Sequence, residues 1–162
     1  MAVVLRRLRC EVVAHLSWET DVVTKDFLAS RFPRAIPMGD ARETTVAKIR
    51  EILEGEDIPE DTLVIISGGP PCLDHSRIKQ KRAQGARGKQ GRKLAEFANL
   101  VVEIKRELPW ECRFLVEHVV PGKRGMVEPI DKVLGEMAFV ADAADLCLMR
   151  KPRIWWTDAD MN

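Results

Sequence analysis

The alternation of apolar and polar positions divides the chain into short runs of two kinds. Glu11 to Leu16 is a β-rich run, and Val22 to Phe32 reads as a helix that Pro33 ends, since proline cannot continue it. Ala41 to Glu54 carries Val46, Ile49, Ile52 and Leu53 near helical spacing, with Gly55 as its stop. Leu63 to Ser67 is a nearly continuous apolar run between Pro59-Glu60-Asp61 and Gly68-Gly69-Pro70-Pro71, the pattern of a strand buried on both faces. Arg92 to Leu108 places Leu94, Phe97, Ala98, Val101, Ile104, Lys105 and Leu108 on one stripe before Pro109, which predicts the longest helix. Arg113 to Val119 is a second buried-strand pattern, followed by a short helix over 129–137 and strands at Phe139–Ala143 and Arg153–Thr157. Strands alternating with helices predict an α/β fold on a mostly parallel sheet, with ligands at the carboxyl ends of the strands. Glu19, Asp40, Cys72 and Glu117 fall at such ends.

Length and composition narrow the class. One domain of 162 residues, 46% apolar and 31% charged, has enough apolar surface for a core, and 26 Lys and Arg balance 25 Asp and Glu. No internal repeat and no linker divides it. No run reaches the roughly 20 apolar residues of a membrane span, and the first ten residues lack a secretory signal, so a soluble, intracellular protein with no membrane partner is expected. Cys10, Cys72, Cys112 and Cys147 form no CxxC pair or zinc-type cluster, so no metal is expected. Cys10, Cys112 and Cys147 sit in apolar contexts and read as buried structural thiols.

Cys72 differs because two prolines fix the backbone ahead of it at the end of a strand, and a thiol held there can act as a nucleophile. The alternative is a small residue in a proline-rich turn. Glu117 is an acid inside an apolar strand, where an unpaired carboxylate would have its pKa raised and could donate a hydrogen bond; a strand-end glutamate bonded to loop amides or an arginine is an equal reading. Glu19 suits the hydroxyls of a ribose, whereas Asp40 reads first as a helix N-cap. Residues 73–93 set Arg77, Lys79, Lys81, Arg82, Arg87, Lys89, Arg92 and Lys93 against Asp74 alone, and with Gly85, Gly88 and Gly91 they read as a phosphate-binding loop rather than a solvated one.

Gly68-Gly69-Pro70-Pro71-Cys72 with Ser76, Glu117-His118-Val119, and Lys151-Pro152-Arg153-Ile154-Trp155-Trp156 together resemble, in this order, the cytosine-5 DNA methyltransferase family. Trp18-Glu19-Thr20, Gly39-Asp40-Ala41 and Gly91-Arg92-Lys93-Leu94 stand where further family motifs fall, and the tail from Phe139 to Thr157 is nearer to de novo and phage-like members. The resemblance implies a Rossmann-like S-adenosylmethionine-dependent methyltransferase, DNA as partner, and a target cytosine flipped out of the duplex. It implies that the Cys72 thiolate adds to ring carbon 6, that Glu117 bonds ring nitrogen 3, and that carbon 5 takes the methyl group before losing its proton and releasing the thiolate. Arg153 and Lys151 would hold the base. Glu19 and Thr20 would bind the cofactor ribose, Asp40 and Ala41 the adenine, and Pro71 would line the pocket. Ser76 and the basic residues from Arg77 to Lys89 would contact DNA.

The sequence departs from the family at His118, where asparagine is usual, at Lys151, where arginine is usual and bidentate geometry is lost, and at Leu73. The family's first, glycine-rich motif and its target-recognition region have no counterpart here, so the resemblance implies a fragment or degenerate enzyme, a single partial catalytic domain with its chemical centre intact, its cofactor and DNA sites incomplete, and a sheet that a further segment or partner chain completes; an inactive fragment is one form of that reading. Transfer RNA methylation and a catalytically silent interaction module are the alternative functions. The expected compartment is nuclear in a eukaryote and cytoplasmic in a bacterium or phage.

Overall fold

The computed structural model describes residues 2–71, 91–145 and 148–160. Two compact units divide it at Thr62. In the first unit, helix α1 (Ala2–Arg7) precedes strand β1 (Leu16–Trp18), helix α2 (Val22–Arg31), strand β2 (Ile36–Gly39) and helix α3 (Val46–Gly55). β1 and β2 pair in parallel, with Leu16 opposite Ile36 and Trp18 opposite Gly39. Asp21 starts α2 by accepting from the Thr24 amide at 2.8 Å, and Thr45 starts α3 by accepting from that of Lys48 at 3.3 Å. The buried apolar residues here are Met38, Val46, Ile49 and Leu53.

In the second unit, strand β3 (Val64–Gly68), helix α4 (Gly91–Glu107), strand β4 (Cys112–Val119), helix α5 (Glu128–Leu134), strand β5 (Phe139–Asp142) and strand β6 (Pro152–Thr157) follow in order. The four strands form one sheet in the order β3-β4-β6-β5. β3 runs parallel to β4, whereas β6 lies antiparallel between β4 and β5. The sheet is therefore mixed, which corrects the mostly parallel expectation. The cause is the last connection: β5 and β6 are joined without a crossover helix, so the chain must reverse.

One face of this sheet is covered by α4 and α5. Leu94, Ala98 and Val101 of α4 pack with Phe114 and Val116 of β4, Ile130 and Leu134 of α5, and Ile154 and Trp156 of β6. The Trp156 indole donates to Asp131 at 2.7 Å. At its far end β6 is tied down by Asp158, which accepts from the Phe114 amide at 2.8 Å and pairs with Lys105. Burial pushes the Asp158 carboxyl upward, but the Lys105 ammonium and the Phe114 amide outweigh it and hold it below its ordinary value.

Other expectations shift. The first strand lies at Leu16–Trp18, beyond most of the Glu11–Leu16 run, and the helix foreseen from Ala41 is a single 3-10 turn before α3. β3 and β4 are not buried on both faces: Ser67 and Arg113 are exposed, and β4 alternates strictly from Cys112. Cys10 is exposed rather than buried, while Cys112 is buried and its thiol is pushed upward by that burial; Cys147 lies outside the described residues. No described helix is long and apolar enough to cross a membrane.

Candidate functional site

The parallel pairing of β3 and β4 sets Gly68 opposite Val116, so the chain leaves β3 beside Glu117. A side chain at Gly68 would meet the Phe97 ring at 2.5 Å, and one at Gly69 would meet Glu117 Oε2 at 2.8 Å. A side chain at Gly68 would thus press on the core, whereas one at Gly69 would displace the flexible end of the Glu117 carboxylate. Pro70 and Pro71 follow and stiffen the exit.

Glu117 belongs to the β4 face opposite α4 and α5. Across the antiparallel pair it faces Trp155, and Arg153, two residues away on the same face of β6, places Nε 2.5 Å from Glu117 Oε1. Both side chains stay reachable, at 31% and 27% exposure. Of the two readings of Glu117, the structure supports the carboxylate bonded to an arginine, here Arg153, over the unpaired one. An open pocket of about 890 Å³ lies over this face. Its walls are Gly69, Pro70 and Pro71, its floor Leu115, Trp155 and Phe139, and its polar groups Glu117, Arg153, Lys151 and Asp142.

His118 points the other way and is 1% exposed. Its Nδ1 is 3.3 Å from the Val119 carbonyl, and its ring also bonds the backbone of Pro71. The imidazole links the end of β4 to the proline turn. Burial lowers its pKa below the ordinary 6.5 despite those carbonyls, so the ring is neutral at pH 7.

In the first unit, Glu19 and Asp40 directly follow β1 and β2, whose last residues Trp18 and Gly39 are paired. Both acids therefore stand at the carboxyl edge of a parallel pair. Glu19 Oε1 accepts from the Thr20 and Asp21 amides at 2.7 and 2.9 Å, which fixes the carboxylate over its own turn. Asp40 caps the turn at Ala41–Glu43 and grips Arg42, whose Nε lies 3.1 Å from both oxygens and Nη2 2.5 Å from Oδ2. The cap reading of Asp40 holds. The Trp18 indole donates to Thr44 at 2.8 Å, closing the same turn.

Cys72, Ser76, Arg77, Lys79, Lys81, Arg82, Arg87 and Lys89 lie outside the described residues. Sequence reasoning passed over Asp142, Trp155 and Phe139 as site residues. The signal for Phe139 and Trp155 was present in strand period, since Phe139 and Ala141 alternate onto the face of Arg153 and Trp155, but which face carries the pocket is a tertiary fact; Asp142, at the end of β5 with the opposite parity, had no such signal.

No protein-family model and no curated protein matches the chain. Solved structures do. The chain is similar to the Entamoeba histolytica methyltransferase EhMeth, with 10% identity and a TM-score of 0.63 over 91% of this chain and 47% of that one. It is also similar to a candidate DNA modification methyltransferase encoded within an E. coli prophage, with 20% identity and a TM-score of 0.59 over 88% of this chain and 39% of that one. The chain spans less than half the length of either. Both likenesses show that the chain shares its fold with these two methyltransferase structures.

Proposed function

We propose that this chain is an S-adenosylmethionine-dependent DNA cytosine-5 methyltransferase domain whose base pocket is the one over Glu117 and Arg153. The observation that carries this reading is the pairing of Glu117 with Arg153 beside the Gly-Gly-Pro-Pro turn, with Cys72 next in sequence. A carboxylate and a guanidinium side by side offer an acceptor and a donor to one edge of a planar base. Cytosine presents an amino donor beside ring nitrogen 3 and then a carbonyl acceptor. Glu117 accepts from the amino group, and nitrogen 3 donates to the same carboxylate once it carries a proton, while Arg153 donates to the carbonyl. A base with a carbonyl in place of the amino group would set an acceptor against the carboxylate, which disfavours it.

Pairing between the two groups keeps each compensated until a base enters, and the base then replaces that bond with its own. Pro70 and Pro71 restrict the backbone that leads into Cys72, whose thiolate would add to ring carbon 6. His118, neutral and bonded to Pro71, keeps that turn against β4. Lys151 adds positive charge at the pocket rim, and the basic residues of 77–93 attract phosphates.

The cofactor fits in part. Glu19 is held at a strand end by its own turn and is suited to ribose hydroxyls, whereas the oxygens of Asp40 are engaged by Arg42, which must yield one bond before an adenine amino group can be accepted. S-adenosylmethionine supplies an electrophilic methyl group when bound. The test is transfer of labelled methyl to cytosine-containing duplex DNA. Incorporation is expected in the unaltered protein and should vanish in Cys72→Ser and fall about 100-fold in Glu117→Gln. Incorporation into transfer RNA alone would move the reading to an RNA enzyme, and none into either nucleic acid would end it.

A further inference from the structure

The connection between β5 and β6 runs from 143 to 151, too long for a tight turn to set the register of the hairpin. Among the described residues its backbone is closed by the Ala143 amide, which reaches the Lys151 carbonyl at 3.4 Å. Asp142, the last residue of β5, ties the same ends together through its side chain. Its Oδ1 accepts from the Lys151 amide at 2.6 Å and from the Ala144 amide at 3.1 Å. Its own amide donates to Asp145 at 3.3 Å, and Arg150 stands 3.8 Å from Oδ2. The Asp142 side chain is 21% exposed and lines the pocket, so these charge-assisted bonds are partly shielded from water.

Lys151 enters β6 two residues before Arg153, whose partners are Ala141 on β5 and Val119 on β4. A one-residue slip would turn Arg153 onto the helix face, and a lesser loosening would lift its guanidinium off Glu117. We infer that Asp142 is a positioning residue: by clamping the Lys151 and Ala144 amides it sets the start of β6 and holds Arg153 on the Glu117 carboxylate. Its meaning for catalysis rests on the proposed function, whereas the clamp stands on geometry alone.

Nuclear magnetic resonance on the full chain tests it through the Arg153 Nε–Hε signal, identified by its loss in Arg153→Lys. The unaltered protein should show this signal at an ion-paired position and a protected Lys151 amide. Asp142→Ala should move the signal to that of a free arginine and speed Lys151 exchange about tenfold or more, while Asp142→Asn, which keeps an accepting oxygen, should leave both in place. Asp158→Asn, at the opposite end of β6, should lower the melting temperature without moving the Arg153 signal, which separates positioning from general loss of stability. Should Asp142→Ala not fold, Asp142→Ser, too short to accept both amides, makes the same comparison. An Arg153 signal and Lys151 exchange unchanged in the Ala or Ser variant overturn the proposal. Methyl transfer should fall roughly 100-fold in Asp142→Ala and recover in Asp142→Asn. No transfer by the unaltered protein would remove the proposed function and leave the resonance comparison to decide on Asp142.

Discussion

At the scale of single residues, the second unit places its chemistry by close approach. Gly69 sits where a methyl group would press on Glu117 Oε2 at 2.8 Å, and the flexible end of Glu117 is what must give. Gly69→Ala should therefore change stability by under about 1 kcal/mol, by thermal unfolding, yet lower methyl transfer by about 10- to 100-fold as the carboxylate leaves Arg153. Gly68→Ala meets the Phe97 ring instead and should cost about 1–3 kcal/mol through overpacking.

His118 adds a pH dependence of known sign. Its pKa is lower in the folded protein than the ordinary 6.5, so the unfolded chain takes up the proton first. Stability should fall as pH drops from about 6.5 toward the folded value and level off below it. Denaturant titrations across that range should show this slope and find it reduced in His118→Asn. That a histidine stands where the cytosine-5 methyltransferases it resembles have asparagine was readable in the sequence; that the ring is buried and faces the proline turn was not, because strand parity assigns a side but not what covers it.

At the scale of elements, β6 is pinned at both ends by carboxylates, Asp142 at its start and Asp158 after its end. Asp158 joins Phe114 of β4 to Lys105 of α4, and Thr157 donates to the Phe114 carbonyl at 2.6 Å. Asp158→Ala should destabilise the protein by about 1–3 kcal/mol, since the Phe114 amide loses its acceptor. With its folded pKa held below the ordinary 3.8, Asp158 contributes stability above that value and loses it as pH falls through the folded one. Below pH 3.8 the stability of the unaltered protein should fall more steeply with acidification than that of Asp158→Asn, which denaturant titrations across that range would read. α4, β4 and β6 were legible from period, because each carries a regular apolar stripe that ends at a proline or a polar turn. β2 was not: four residues, Ile-Pro-Met-Gly, carry too little pattern, and Pro37 is tolerated only because the strand is paired on one side.

At the scale of the whole molecule, the two units differ in what they bury. Helix α2 has no buried residue, with Val23 at 76% and Phe27 at 63% exposure, whereas the inner faces of α4 and β4 are closed to solvent. Amide hydrogen exchange should therefore find α2 the least protected of the longer helices and the α4–β4 core the last to exchange; equal protection would contradict this.

What the sequence determined by itself was local: the periods that make α4, β4 and β6, the stiff Gly-Gly-Pro-Pro exit, and the types of residue that chemistry on a base would need. Those follow from backbone sterics and from the need to bury one stripe, which neighbouring residues encode. Tertiary structure alone decided that the sheet is mixed, that of the two readings of Glu117 the arginine-paired one holds with Arg153 as the partner, and that Asp142 clamps the start of β6. Each of these depends on which strands become neighbours and on which faces are covered. Residues 36 positions apart are brought within hydrogen-bond reach by sheet order and register, and neither can be read from the spacing of the residues that meet.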